Sequence, residues 1–331
     1  MTHQLATNMP DIDTNLHLPS PARYFPIRNG RYDVKAGLSV FPTEFGNAEQ
    51  DHQVFQFDTD FQRCRDNKLA VRKQNIGEYV CMTSDSDASV HRVNTFIIEH
   101  LVKHYPDYFQ RVDKGDHFNL ECSLSGNSIL AHHDHTLIPT SAQHKPAAIN
   151  LFDALALELQ EDLCIMHVTK ETIRLCAAHL CAANHWAAID KLGMDMPALH
   201  APVPGFIEQY RSPDALLHGI MNKQQAYIRF AWGISENCHF NRHPRLSAAH
   251  SNEVRGNDLF MRIERQILWP MSDMKTMLFT IKTLFRDCRE MKHQHAHEFN
   301  PLVNAIQSMD NAALMYKGIE RQHTLCKLAE L

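Results

Sequence analysis

The stretch Asp162-Leu-Cys-Ile-Met-His-Val, with Thr172-Ile-Arg-Leu-Cys-Ala-Ala-His-Leu after it, decides the fold class of this chain. Both runs are short and apolar, and the polar turn at Thr169-Lys-Glu separates them, so they are predicted to form two β-strands. Between residues 184 and 225 prolines and glycines break the pattern, and the clearest helix there is expected from Pro213 to Lys223. Three more strands are predicted at residues 226–234, 259–269 and 277–285. These five strands are predicted to form one antiparallel sheet.

Two strands, a helical excursion and three strands follow one another as in a PAS domain. We therefore expect an α+β protein with a PAS-like domain over residues 149–290. This domain is predicted to begin with a short helix at Leu151–Leu159, which the five-stranded sheet follows. Residues 27–148 are predicted to form an N-terminal α+β extension. Its firmest element is a helix over Val90–Tyr105, because the apolar residues there recur at helical spacing and stop before a proline. Short strands or strand-like turns are expected near residues 32–40 and 54–58.

The two ends of the chain have different characters. Residues 1–26 are polar and rich in proline, so they are predicted to be an extended lead-in. Residues 291–331 are predicted to be a C-terminal helical segment. A domain boundary is expected near residues 145–150, after a polar stretch that carries Pro139 and Pro146.

Composition excludes several functions. The 331 residues are 44% hydrophobic and carry a formal charge of −5, which indicates a globular protein and disfavours a nucleic-acid partner. Neither of the glycine-rich phosphate-loop motifs occurs. No signal peptide and no apolar run long enough to span a membrane is present, so a cytoplasmic protein is expected. Nine Cys without a Cys-x-x-Cys pair predict reduced, mostly buried thiols.

The chain has 23 His, which makes metal or haem ligation a question. One cluster is His132-His133-Asp134-His135, but consecutive loop residues cannot all point toward one ion. His293, His295 and His297 meet the same objection and are interpreted as a solvated linker. A metal-dependent hydrolase built on the first cluster is therefore an improbable third hypothesis.

A better candidate ligand is His200, in Leu199-His-Ala-Pro-Val-Pro-Gly. The prolines stiffen the segment that carries the imidazole, which suits an axial ligand of haem iron. On the residues alone, a core or turn histidine is the more frequent interpretation. His185, beside Trp186, is the local competitor. Three cysteines on the neighbouring strands offer thiolates as further alternatives: Cys164, Cys176 and Cys181.

Charges in the strand Arg262-Ile-Glu-Arg-Gln also need an explanation. Because successive side chains of a strand point to opposite faces, Arg262 and Glu264 are expected on one face and Arg265 on the other. Charges in mid-strand are costly to bury unless they are paired, so they form either a salt-bridged network or a site for an anion such as a propionate. Arg229 could join that site, and Trp232 could form an apolar wall.

At these residues the chain resembles the haem-dependent oxidative N-demethylases, whose alpha subunit is a PAS-like haem domain with an N-terminal extension. The combination of His-Ala-Pro-Val-Pro with Glu-Arg-Gln, in that order, is the specific part of the resemblance. The matching pieces, in chain order, are Gly30-Arg-Tyr with Gly37-Leu, Tyr105-Pro-Asp-Tyr-Phe, Gln160-Glu-Asp-Leu, His185-Trp before Lys191-Leu-Gly, His200-Ala-Pro-Val-Pro, Arg229 with Trp232, Arg262-Ile-Glu-Arg-Gln-Ile-Leu, Phe279-Thr-Ile and Tyr316-Lys-Gly.

The resemblance implies a haem b that activates O2, and an N-methyl group of a small amine that is oxidised to formaldehyde. It implies electrons from NADPH through separate flavin and iron–sulfur reductase subunits. Carried over to this sequence, His200 becomes the proximal iron ligand. Arg229, Arg262 and Arg265 become propionate or structural contacts. The alternative is a non-catalytic PAS protein that binds haem or another small ligand, as a sensor or an assembly partner.

Two positions depart from the family pattern. Ala231 stands where relatives usually have an Asn, and Trp269-Pro270 replaces two basic residues. We expect these changes to make dimethylamine a poor substrate and to favour a bulkier N-methyl compound. The pocket is expected between the sheet and the 184–225 excursion, lined by Trp186, Phe206 and Trp232.

Overall fold

The computed structural model describes residues 17–27, 29–34, 37–139, 147–209, 212–246 and 258–331. Most of the predicted lead-in, residues 1–16, and part of the predicted domain boundary, residues 140–146, lie outside this described part of the chain. The fold is a mixture of α-helices and antiparallel β-sheet.

Ten strands are described: β1 Ser39–Val40, β2 Val80–Met82, β3 Phe109–Lys114, β4 His117–Cys122, β5 Asn127–His132, β6 Asp162–Val168, β7 Ile173–His179, β8 Tyr227–Ser235, β9 Phe260–Pro270 and β10 Thr276–Asp287. The described helices are α1 Phe61–Tyr79, α2 Asp87–His104, α3 Leu151–Ala156, α4 Ala188–Lys191, α5 Met196–His200, α6 Phe206–Gln209, α7 Pro213–Lys223, α8 Cys288–Gln294, α9 Ala296–Ser308, α10 Asn311–Lys317 and α11 Arg321–Glu330.

The large sheet has the strand order β1-β8-β9-β10-β6-β7-β2 and is antiparallel throughout. All five predicted strands are present, next to one another, as β6 to β10. The prediction of a five-stranded sheet is nevertheless wrong, because the N-terminal extension adds the short strands β1 and β2 at its two edges. These strands have only two and three residues, which is too short for a sequence pattern to reveal.

The two faces of the large sheet are covered by different parts of the chain. One face, which we call the excursion face, packs against α4 to α7 through an apolar cluster that includes Cys164, Leu268 and Leu217. The opposite face packs against the N-terminal extension through one cluster and against α8 to α11 through another. Because successive residues of a strand point to opposite faces, every residue of β8 and β9 can be assigned to one of them.

The two firmest helix predictions are confirmed. Helix α2 buries Val93, Ile97 and Leu101 on one side, at the spacing seen in the sequence, and ends just before Pro106. Helix α7 has Pro213 in its first turn, and the Ser212 hydroxyl accepts a hydrogen bond from the Ala215 N–H.

Other segments differ from the predictions. Residues 109–132 form a three-stranded sheet, β3-β4-β5, that the sequence analysis did not predict. Of the four residues predicted to form a loop, His132 ends β5 and the other three follow it in a turn. Residues 54–58 are not a strand. The solvent exposure predicted for His293 and His297 is confirmed, but the segment is not a linker, because it belongs to α8, to α9 and to the junction between them. In the described part of the chain, no helix is both long and apolar enough to cross a membrane.

Candidate functional site

His200 is the last residue of α5, a short helix on the excursion side of the sheet. The Asp195 carboxylate caps this helix by accepting from the Ala198 N–H at 2.9 Å. One turn later, His200 Nδ1 lies 3.0 Å from the Met196 carbonyl oxygen. Since a carbonyl can only accept, the imidazole proton is on Nδ1 and the Nε2 lone pair is left available. A carbonyl that fixes the tautomer in this way is a usual partner of a metal-ligating histidine.

The electrostatic surroundings keep His200 neutral. Burial lowers its pKa to about 4, the bond to Met196 opposes this, and the charges of Arg229 and Lys191 lower it further. The ring stacks on Phe206, with centroids 4.3 Å apart and planes 14° from parallel. At neutral pH the site therefore holds a deprotonated nitrogen donor in a restrained orientation.

On the excursion face, two consecutive positions of β8 carry the small residues Ala231 and Gly233. Arg229, Ala231 and Gly233 alternate there and pair with Gln266, Glu264 and Arg262 of β9. A Cβ added to Gly233 would meet no atom within 4 Å, so space is open above this strand. A flat ligand can approach the backbone at such a place.

Arg262 is buried on the same face and is held by oxygen atoms of the surrounding loops. It donates to the carbonyls of Phe240 at 2.9 Å and Ala182 at 2.5 Å, and to the Thr283 hydroxyl at 3.2 Å. Its Nε lies 3.7 Å from the Glu264 carboxylate. Arg262 and Glu264 therefore share a face and interact, as the strand period predicted. The main-chain contacts give Arg262 a structural role.

His185 lies close enough to this arginine to feel its charge. It has a φ of 63°, and its N–H donates to the Arg242 carbonyl at 2.9 Å. Partial burial of the ring and the charges of Arg242 and Arg262 lower its pKa. Arg242, which the sequence analysis did not single out, donates to Ser235 and Asn237, and burial lowers its pKa to about 10.

Arg265 and Trp232 lie on the opposite face of the sheet. Arg265 donates to the carbonyls of Gln53 at 2.6 Å and Val54 at 3.4 Å, and so ties β9 to the N-terminal extension. Trp232 packs edge-to-face on Tyr32. The prediction that Trp232 shares a pocket wall with Trp186 and Phe206 is therefore wrong. It overlooked that even-numbered residues of β8 point away from the excursion face.

The C-terminal helices reach the free part of the β8 edge. The Lys317 ammonium donates to the Trp232 carbonyl at 2.7 Å and lies over the ring of Tyr32. Burial lowers the pKa of Lys317 to about 8, with Glu264 opposing and Arg229 reinforcing the shift. The sequence signal for this contact was the Tyr316-Lys-Gly match, to which no role had been given.

The other candidate ligands are less ready to bind iron. Burial raises the pKa of Cys176 to about 12, and raises the pKa values of Cys164 and Cys181 well above normal, so these thiols are protonated unless a metal ion displaces the proton. Around the small sheet, His117 and His132 flank the carboxylate of Asp116 at 2.9 and 3.6 Å. These side chains are exposed or nearly so, and their contacts with Asp116 lie at the protein surface.

Trp269 and Pro270 border a different cavity. A groove of about 710 Å³ lies at the end of β9, and its wall includes Trp269, Phe96 and His100. Trp269 lies on the opposite face and packs on Phe96, with ring centroids 5.2 Å apart. Ala231, the other position singled out in the sequence, lies on the excursion face and pairs with Glu264.

These features define a class: an α+β protein with a large antiparallel sheet, and with a neutral histidine and an arginine close together on one face of it. A family model described as haem-dependent oxidative N-demethylase, alpha subunit-like, matches residues 44–326. The chain belongs to this family, whose name denotes a haem-dependent oxidoreductase and implies a partner subunit. No curated protein matches the chain.

Proposed function

We propose that this protein is a haem-dependent oxygenase that uses O2 to remove an N-methyl group from a small amine, with release of formaldehyde. Electrons come from NADPH through separate flavin and iron–sulfur reductase subunits, and the reaction takes place in the cytoplasm. Family membership supports the reaction class. The observation that carries the proposal for this chain is the neutral His200, with its Nε2 lone pair available, beside Arg229.

A PAS-like haem domain is the architecture that we infer for this activity. It is supported by the adjacency of β6 to β10 and by the helices that separate β7 from β8. The excursion face then provides both the histidine and the strand surface at Ala231 and Gly233.

The residues of this face fit a haem b. His200 Nε2 would bind the haem iron and Arg229 would pair with a propionate, while Arg262 and His185 lie farther along the same face. The flat surface at Ala231 and Gly233 suits a planar ring. Covalent haem attachment is disfavoured because the sequence has no Cys-x-x-Cys-His motif.

Haem, when bound, supplies the activation of O2. The residues of the chain position the reactants and limit the access of water. Phe206 restrains the ring of His200, and apolar side chains of the excursion, such as Trp186 and Leu199, cover the sheet. The Glu264 carboxylate lies on the same face, where it attracts a protonated amine. Ala231 lies beside it, so a substrate larger than dimethylamine is accommodated.

Spectroscopy of the purified protein tests the haem part of the proposal. We expect a Soret band after expression with a haem precursor. His200→Ala should lose haem or recover it only with added imidazole, and His185→Ala, the matched control, should keep the wild-type spectrum. Loss of haem in His185→Ala alone would move the ligand to His185, and a wild-type protein that takes up no hemin would overturn the proposal.

A formaldehyde assay over a graded series of N-methylamines, with O2 and an NADPH-linked reductase, tests the reaction. Formaldehyde release is expected to be greater with bulkier amines than with dimethylamine. A haem-loaded protein that is reduced normally but turns over no amine would favour a non-catalytic haem-binding or sensor protein instead.

A further inference from the structure

A buried cluster of potential metal ligands lies away from the His200 site, where β6 begins and β7 ends. It consists of Asp162, His179 and Cys181, whose ligand atoms all lie within 4.8 Å of one another. It is the one such group in the part of the chain that the structure describes. All three side chains are buried, with at most 1% of the residue exposed.

The orientation of His179 is set by Asp153. The Nε2 atom of His179 lies 3.1 Å from one carboxylate oxygen of Asp153. The other oxygen of Asp153 accepts hydrogen bonds from Arg72 at 2.6 Å and from the Ile149 N–H at 2.9 Å. Because that carboxylate is held ionised by Arg72, the imidazole proton is on Nε2. The Nδ1 lone pair therefore faces Cys181. A carboxylate behind a histidine is the usual second partner of a zinc-bound imidazole.

The spacing of the nitrogen and the sulfur suits a tetrahedral ion. His179 Nδ1 and Cys181 Sγ are 3.7 Å apart. Zinc bonds to sulfur at about 2.3 Å and to nitrogen at about 2.0 Å, so tetrahedral coordination places these two atoms about 3.5 Å apart. A shift of a few tenths of an ångström would be enough for both to bind one ion.

Asp162 is a buried carboxyl group: burial raises its pKa, and the charge of Lys68 opposes that shift. Its two oxygens accept from the main-chain N–H groups of Cys181 at 2.9 Å and Ala182 at 2.7 Å, and each keeps a further lone pair. Among the described residues no ion pair of Asp162 lies within 4 Å. The buried Lys68 ammonium donates its hydrogen bonds to three main-chain carbonyls. A buried carboxylate in this situation is costly unless a cation joins it.

We propose that Asp162, His179 and Cys181 bind one zinc-class divalent ion that has a structural role. The ligands are the Asp162 carboxylate, which can contribute both oxygens, His179 Nδ1 and the Cys181 thiolate. Binding releases the thiol proton to solvent, and the +2 charge balances the thiolate and the carboxylate. The ion ties the start of β6 to the end of β7, and the proposal does not depend on haem.

The metal content of tag-free protein tests this proposal. Protein from zinc-supplemented medium is treated with EDTA, which strips ions from surface histidines, and its zinc and iron are then counted separately. About one zinc per chain is expected in the wild type. His179→Gln and Cys181→Ala should lose zinc about ten-fold or more. Cys164→Ala, an equally buried cysteine outside the cluster, should retain it.

Growth with cobalt gives a second readout that needs no variant. Cobalt at the site should produce a sulfur-to-metal charge-transfer band in the near ultraviolet, which Cys181→Ala lacks if it folds. Wild-type protein with neither retained zinc nor this band would overturn the proposal, as would full zinc retention in a folded Cys181→Ala variant.

Discussion

Gly233 is the residue at which a substitution can fill the space proposed for the haem without disturbing the fold. Its φ is not positive, and an added Cβ meets nothing within 4 Å, so a methyl group there fills open space. We expect Gly233→Ala to keep the melting temperature or raise it slightly, because glycine weakens a strand, and Gly233→Leu extends the series to a larger side chain. Haem content should fall stepwise with the size of the side chain.

Ile234→Leu, the neighbouring position on the opposite face, is the control and should bind haem like the wild type. Full haem content in a stable Gly233→Leu variant would show that the ligand does not use this surface.

His100, in the groove beside Trp269, is expected to make stability depend on pH. Burial, together with the charges of His104 and Lys103, lowers its pKa from 6.5 to about 4. Between these values the unfolded chain binds a proton that the folded chain does not, so the free energy of unfolding falls as the pH decreases from 6.5 to 4. In urea titrations across this range His100→Gln should show a shallower loss than the wild type. If the free energy of unfolding of His100→Gln depended on pH as steeply as that of the wild type, the lowered pKa of His100 would be contradicted.

The candidate site was only partly predictable at the residue scale. His200 and Arg229 were found because prolines and mid-strand charge are visible in the sequence. The hydrogen bond from Nδ1 to the Met196 carbonyl and the opening above Gly233 depend on the placement of helices against the sheet. Arg242 was missed because a single arginine in a loop carries no pattern.

Among the elements, helix α1 shows why hydrophobic periodicity fails for some buried helices. Its buried side includes Arg65, Lys68 and Arg72, and these cations face carbonyls and carboxylates of residues 153–161 instead of an apolar core. A helix with charged groups on its buried side has almost no amphipathic signal, so the sequence analysis did not predict it. Strand β3 was not predicted either. Only Phe109 is buried in it, and both of its sides are mostly polar, so its sequence shows no alternation of apolar and polar residues.

Lys68→Met tests the role of these buried cations. The Lys68 ammonium donates to the carbonyls of Ala156, Leu159 and Glu161 at 2.6–2.9 Å. Methionine has a similar length but leaves three buried acceptors without a donor, so we expect the free energy of unfolding to fall by about 3–5 kcal/mol. Lys73→Met, an exposed lysine of the same helix, should change it by less than about 0.5 kcal/mol. Equal effects in urea denaturation would rule out this explanation.

At the scale of the whole molecule, the large sheet is a layer shared by three apolar clusters, one on the excursion face and two on the opposite face. The excursion covers one face, while the N-terminal extension and α8 to α11 together cover the other. Polar contacts reinforce this arrangement: Lys282 of β10 pairs with Asp58 at 2.6 Å, and both are buried. The site on the excursion face therefore depends on segments that lie behind the sheet, because they hold β8 and β9 in place.

This arrangement predicts how a fragment of residues 149–290 behaves. It contains all five central strands and the excursion, but it lacks the helices that cover Ile263, Ile267 and Leu278 on the opposite face. It also lacks Asp58, which would leave the buried Lys282 unpaired. We expect the fragment to bind a hydrophobic dye and to unfold without cooperativity, whereas the full chain unfolds in one transition. Calorimetry and near-ultraviolet circular dichroism measure the difference. A fragment that unfolds cooperatively and keeps its near-ultraviolet signal would show that the excursion-side cluster alone is enough to hold the sheet.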